Sequence, residues 1–157
     1  MKKTLLLLTP LLIFLSACNS KPSFDTDLLL GEWYYYDTFD IDDEDEEYEV
    51  EGEEILRFIN EKEFYSVFTF SIDGEHVGDL ICEGEYEVIG NTIKYNVPES
   101  KKKLTLNKDY YESSLDYNYA LKELEKTDFF TDDKVVSISA QTLVLEDEDG
   151  EREYEKL

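Results

Sequence analysis

The chain has 157 residues, with 39 acidic and 15 basic side chains and a formal charge of −24, which excludes the basic patches that nucleic-acid binding requires. One histidine and two cysteines leave no material for a histidine-based triad, a multi-histidine metal centre or a disulfide framework. Nine Phe, twelve Tyr and one Trp are enough to build the core of one domain.

The chain opens with Lys2 and Lys3. An apolar run from Leu5 to Leu15 follows, broken only by Thr9 and Pro10, and then come Ser16, Ala17 and Cys18. A positive start, a short apolar stretch and small residues before a cut site make the layout of an export signal. The run falls short of the roughly 20 apolar residues of a spanning helix. Leu15-Ser16-Ala17-Cys18 resembles the bacterial lipobox. That resemblance implies cleavage before Cys18, acylation of Cys18 and anchoring in a membrane by two or more acyl chains, which suffice for stable attachment. Asn19 rather than Asp resembles the sorting pattern for the outer membrane, if the source is Gram-negative. The expected organisation is a signal peptide over 1–17, a lipidated tether over 18–27 with Pro22 and Ser23, and one domain over 28–157. Losing Lys2 and Lys3 takes the formal charge from −24 to −26, which also opposes lying flat on anionic lipid.

From residue 28 onward the dominant pattern is period two, the mark of half-buried strands. In Leu29–Thr38 the residues Leu29, Trp33 and Tyr35 face away from Glu32, Tyr34 and Tyr36. The run 37–54, DTFDIDDEDEEYEVEGEE, holds twelve acids and no base. Such blocks self-repel, so it reads as a mobile loop between the first two strands. Phe64, Phe68, Phe70 and Ile72 then share a face, and His76 falls in the loop DGEHVGD. Leu80, Cys82, Gly84, Tyr86 and Val88 alternate with Asp79, Glu83, Glu85 and Glu87. Gly90-Asn91 is a two-residue hairpin signal that pairs Val88 with Ile93. In 104–126, Leu115, Tyr117, Tyr119 and Leu121 alternate as a strand, although ALKELEK also suits a helical turn. Strands over 135–140, 142–146 and 152–157, the last two joined at Asp149-Gly150, complete eight to ten short antiparallel segments. Such spacing indicates a barrel or sandwich, and a barrel removes exposed edges.

Gly31-Glu32-Trp33 at the head of the first strand resembles the G-x-W signature of lipocalins. GEYEVIGNTIKY (84–95) and the C-terminal strands of 135–157 are similar to the small lipocalin-like domains of bacterial lipoproteins, and Thr127-Asp128-Phe129 loosely echoes the family's T-D-Y element. The resemblance implies an all-β fold, an antiparallel up-and-down β-barrel of about eight strands. It also implies that Trp33 crosses the closed end beneath a cation of the last strand, with Arg152 as the candidate, and that the acidic run stands near the open mouth.

Little enzymatic machinery is present. Glu83, Glu85 and Glu87 diverge into water rather than converging as a catalytic carboxylate pair. Cys82, between Leu80 and Gly84 on an apolar face, reads as core packing rather than a reactive thiol. The acidic run lacks the D-x-D-x-D-G loop of a calcium site. It remains either a solvated segment or an electrostatic lure for a basic protein. Inward Trp33, Tyr35, Phe68, Phe70, Tyr86 and Tyr95 either fill the barrel or line a cavity. The expectation is a non-enzymatic, membrane-anchored lipoprotein, without cofactor or metal, that binds a small apolar or amphipathic ligand through those six residues. The alternative is an acidic envelope interaction protein with a packed barrel, such as an inhibitor of a basic secreted enzyme.

Overall fold

A computed structural model describes residues 21–43, 46–110 and 130–157, with backbone alone for 39–43 and 46–49. Among the described residues nine strands occur: β1 (Gly31–Asp43), β2 (Glu46–Phe58), β3 (Glu63–Ile72), β4 (Glu75–Ile89), β5 (Thr92–Asn96), β6 (Lys102–Leu106), β7 (Asp133–Ile138), β8 (Thr142–Glu146) and β9 (Glu151–Lys156). The sheet runs β3-β2-β1-β9-β8-β7-β5-β4-β6, and β3 also pairs β4. That second pairing closes eight antiparallel strands into a barrel, with β6 as a flank on β4. Two 3-10 turns are the only helical elements described, and no described helix is long and apolar enough to cross a membrane.

The turns explain the meander. Gly90 (φ 66) holds the first central position of the β4–β5 hairpin, the site where a II′ turn calls for glycine. Val88 faces Ile93 across it, as the pattern predicts. Asp73 (φ 51) and Gly74 (φ 76) are both left-handed between Ile72 and Glu75, the I′ arrangement whose twist matches the strands it joins. The β2–β3 link is tied by Asn60, whose Oδ1 accepts from the Lys62 and Glu63 N–H groups at 2.9 and 3.0 Å.

The inward positions stack in rows read off the register. Gly31, Phe58, Phe64 and Gly84 form one row, and Trp33, Leu56, Ser66 and Cys82 the next. Above these come Tyr35, Glu54, Phe68 and Leu80, then Asp37, Gly52, Phe70 and Gly78. Phe58, Phe64, Trp33 and Leu56 of the lower rows belong to one buried cluster with Leu29, Tyr86, Ile93, Val135, Leu143, Leu145 and Tyr154. Phe58 meets Tyr86 edge to face at 4.8 Å, and Phe64 meets Tyr95 at 4.9 Å, geometries that add to plain burial. The chain enters this end: the Ser23 N–H donates to the Gly90 carbonyl at 2.9 Å, and Phe24 packs against the cluster.

Two expectations from the sequence are overturned here. Apart from 44–45, which lie outside the described residues, the acidic run 37–54 is not a loop but the far halves of β1 and β2, paired residue for residue from Asp37↔Gly52 to Asp43↔Glu46. Phe39↔Val50 and Ile41↔Tyr48 alternate with the acids along this ladder, so strand periodicity persists beneath the charge. His76 is likewise not in a loop. It lies on β4 opposite Ser71, its Nε2 3.1 Å from Asp79 Oδ1, just before a bulge at Val77. The 115–121 segment lies outside the described residues.

The barrel closes at two narrow seams. β1 meets β9 only at Trp33↔Lys156 and Tyr34↔Glu155, and β5 meets β7 only at Thr92↔Lys134 and Ile93↔Asp133. Above Tyr34, β1 and β9 have no register pairs.

Candidate functional site

The closed end is built on Trp33. Its indole is fully buried, and Nε1 donates to the Leu29 carbonyl at 2.6 Å, which a buried indole requires. The cation over its ring is Lys156, with Nζ 4.7 Å from the ring centroid and 3.2 Å from the Leu28 carbonyl. The sequence reading gave this place to Arg152. The register explains the correction: both lie on the inward face of β9, but Lys156 is the one opposite Trp33.

Arg152 stands two turns of the pleat higher and organises a polar layer inside the barrel. Its Nη2 lies 2.7 Å from Asp133 Oδ1 and 2.9 Å from Asp147 Oδ2, and Nη1 lies 3.4 Å from Glu54 Oε2. Glu54 also accepts from Ser66 Oγ at 2.8 Å and from the Tyr154 hydroxyl at 2.6 Å. Asp133 accepts from the Tyr95 hydroxyl at 2.9 Å. Glu54 and Asp133 are buried, at 4% and 3% exposure. Carboxylates at such depth are sustained only by partners of this kind.

The electrostatics follow from this burial. Desolvation pushes Asp133 up to about 6, against the pull of Arg152. Burial opposes the Arg152 charge, but Tyr154, Asp133, Glu54 and Asp147 outweigh it and hold the guanidinium above its ordinary value. Burial, then the neighbouring carboxylates, keep the Tyr95 and Tyr154 hydroxyls far from ionisation. Arg152 Nε is buried without a hydrogen-bond partner among the described residues.

Above this layer is a cavity of about 470 Å3. Glu54, Ser66 and Arg152 form its floor; Tyr35, Phe68, Leu80 and Phe130 give apolar walls; and the β8–β9 turn, 147–150, closes one rim. The Asp147 carboxylate shapes that rim by accepting from the Asp149 and Gly150 N–H groups at 2.8 and 3.2 Å. Tyr35 and Asp37 of β1 and Glu151 and Arg152 of β9 stand on the two sides of the gap where those strands part. A second hollow, about 720 Å3, runs along the outer flank of β2–β4. Its cations are already matched, Lys101 by Glu83 at 2.7 Å and Arg57 by Glu32 at 3.4 Å, and it gathers no buried polar group.

Of the six inward aromatics named from sequence, Tyr35 and Phe68 line the interior cavity, and Phe70 lies beside Phe68 with centroids 6.4 Å apart. Trp33, Tyr86 and Tyr95 belong to the packed end, and the Tyr86 hydroxyl donates to the Asn60 carbonyl at 2.8 Å. Cys18 lies outside the described residues. Cys82 is buried, its thiol pushed up to about 11 by desolvation. Sequence reasoning missed Glu54, Asp133 and Asp147. Parity alone flags Glu54, two residues before Leu56 and four before Phe58 on the inward face. Among the described residues no group of side chains is arranged to hold a metal ion.

The chain matches no protein-family model and no curated protein.

Proposed function

We propose that this protein is a lipid-anchored envelope lipoprotein whose lipocalin-like barrel binds a small amphipathic molecule in its upper cavity. The observation that carries the reading is the cavity of about 470 Å3 seated on a buried polar layer. Its size falls within the range of small-molecule sites, and an apolar wall with a few convergent polar groups is the usual composition of such sites. A barrel meant only to be filled has little use for Glu54, Asp133 and Arg152 at its centre, where a hydrophobic set of equal volume is as stable or more so. Non-enzymatic binding fits the placement of His76, which stands on β4 apart from the cavity lining.

Anchoring is supported by the lipobox resemblance of Leu15–Cys18. Cys18→Ala is expected to move the protein from the detergent phase to the aqueous phase in phase partitioning. Unchanged partitioning means that the anchor reading is wrong. Native mass spectrometry of protein released gently from cells is expected to show a co-purifying small molecule, lost on Phe68→Trp. An adduct-free wild type that also ignores added apolar dyes removes the ligand reading.

A second reading draws on the acidic ribbon. Asp40↔Glu49, Asp42↔Glu47 and Asp43↔Glu46 place like charges directly opposite one another, an arrangement that costs stability in a free sheet and that a basic protein partner relieves. Pull-down from envelope extract tests it: a basic partner should be retained at low salt and released at high salt.

A further inference from the structure

The lining of the cavity bears on the charge of its occupant. Among the described residues, Asp37, Glu54, Asp147, Glu148, Asp149 and Glu151 line it against a single cation, Arg152. That guanidinium is already engaged by Asp133, Asp147 and Glu54. One cation facing three carboxylates leaves negative charge in surplus at the floor, and the 147–151 rim adds to it. Low-dielectric walls focus such a field within a cleft. An anionic headgroup entering here meets repulsion and finds both Nη atoms of Arg152 occupied, leaving only the buried Nε without a partner among the described residues. A cation meets Asp37 and the rim carboxylates, beside walls that include the aromatic side chains of Tyr35, Phe68 and Phe130. The gap between β1 and β9 above Tyr34 is flanked by Asp37 and Glu151.

We infer that the cavity selects an organic cation with an apolar body and rejects anions of the same shape, an inference that rests on this cavity being the binding site proposed above. The amphipathic class narrows accordingly, and fatty acids and other carboxylate-headed lipids are excluded.

Three probes with one naphthalene body test it: 1-naphthylmethylammonium, 1-naphthylmethanol and 1-naphthylacetate. Each is titrated calorimetrically into the full chain carrying Cys18→Ala, which needs no detergent. The ammonium is expected to bind about tenfold tighter than the alcohol, as one partly shielded charge pair allows, and the acetate weakest of all. Asp37→Asn with Glu151→Gln leaves the Arg152 contacts in place. It is expected to weaken the ammonium about fivefold, the scale of half-exposed charge pairs, and to leave the alcohol unchanged. Neutralising Asp40, Asp42, Glu47 and Glu49 on the ribbon should leave all three affinities unchanged. Equal binding of the three probes, or tightest binding of the acetate, overturns the charge selection while the cavity reading stands. Ammonium binding lost with the ribbon variant and kept in the cavity variant also overturns it, as attraction to an acidic surface. If no probe binds, the cavity reading falls as well.

Discussion

The two ends of this barrel solve the same problem in opposite ways. At the end where the chain enters, Trp33, Phe58, Phe64, Ile93 and Leu143 exclude water almost completely, and the charge of Lys156 lies over an indole. At the other end, the same inward positions of the same strands carry Glu54, Asp133 and Arg152, and space is left above them. The contrast teaches that the strand alternation sets which residues point inward, while the chemistry of each row decides whether that interior is filled or open. Burial stabilises the first end. The second is held by a charge network in which each buried ion depends on its partners.

Substitutions that separate these roles rank by expected effect. Trp33→Ala should be the most damaging, at about 5 kcal/mol, because a large fully buried side chain leaves a cavity that the closed end cannot refill. Urea midpoints measure it, and a loss under 2 kcal/mol would mean that the end is less tightly packed than its burial implies. Arg152→Ala should cost about 3–4 kcal/mol at neutral pH, because it leaves Glu54, Asp133 and Asp147 without their shared cation.

Next is a pH effect confined to the polar end. Asp133 titrates near 6 in the folded chain, above its ordinary 3.8. Between those values the folded state holds the proton more firmly, so the stability due to this group is complete below about pH 4 and declines as pH rises to 6. A shift of that size corresponds to about 3 kcal/mol. The stability difference between wild type and Asp133→Asn should therefore shrink by up to that amount from pH 4 to 7, and a constant difference would show that Asp133 is better solvated than its burial indicates. The smallest effect belongs to the ribbon. Glu49→Lys sets a base opposite Asp40 and should stabilise by about 0.2–1 kcal/mol, the value of a cross-strand opposite-charge pair.

Much of this was legible in the sequence. Alternation through Leu80–Val88 and the Gly90-Asn91 turn fixed a hairpin whose Val88↔Ile93 register the structure reproduces. Trp33 was legible as a core residue from its alternation with Glu32 and Tyr34, whereas Leu29, expected on the same strand face, is buried from the end of a 3-10 turn that precedes β1. The ribbon was not, because twelve acids obscured the apolar alternation of Phe39, Ile41, Tyr48 and Val50. Nor was the exchange of Lys156 for Arg152, since both occupy inward positions of β9 and only long-range pairing sets their heights. The polar layer went unseen for a related reason: searching inward positions for apolar residues passes over an inward Glu54. The cavity depends on where β1 and β9 part, a property of closure that no local pattern encodes.

The hydrogen bond from Ser23 to Gly90 has a consequence for orientation. If Cys18 bears acyl chains, only four residues, 19–22, separate the fatty anchor from the first docked residue, and the five residue steps make a leash of about 17 Å at full stretch. The β4–β5 turn to which it is fastened lies at the end remote from the cavity. The barrel would then stand on its sealed base close to the bilayer with its opening turned to the aqueous side, so that a molecule entering the cavity would arrive from solution and not sideways out of the lipid.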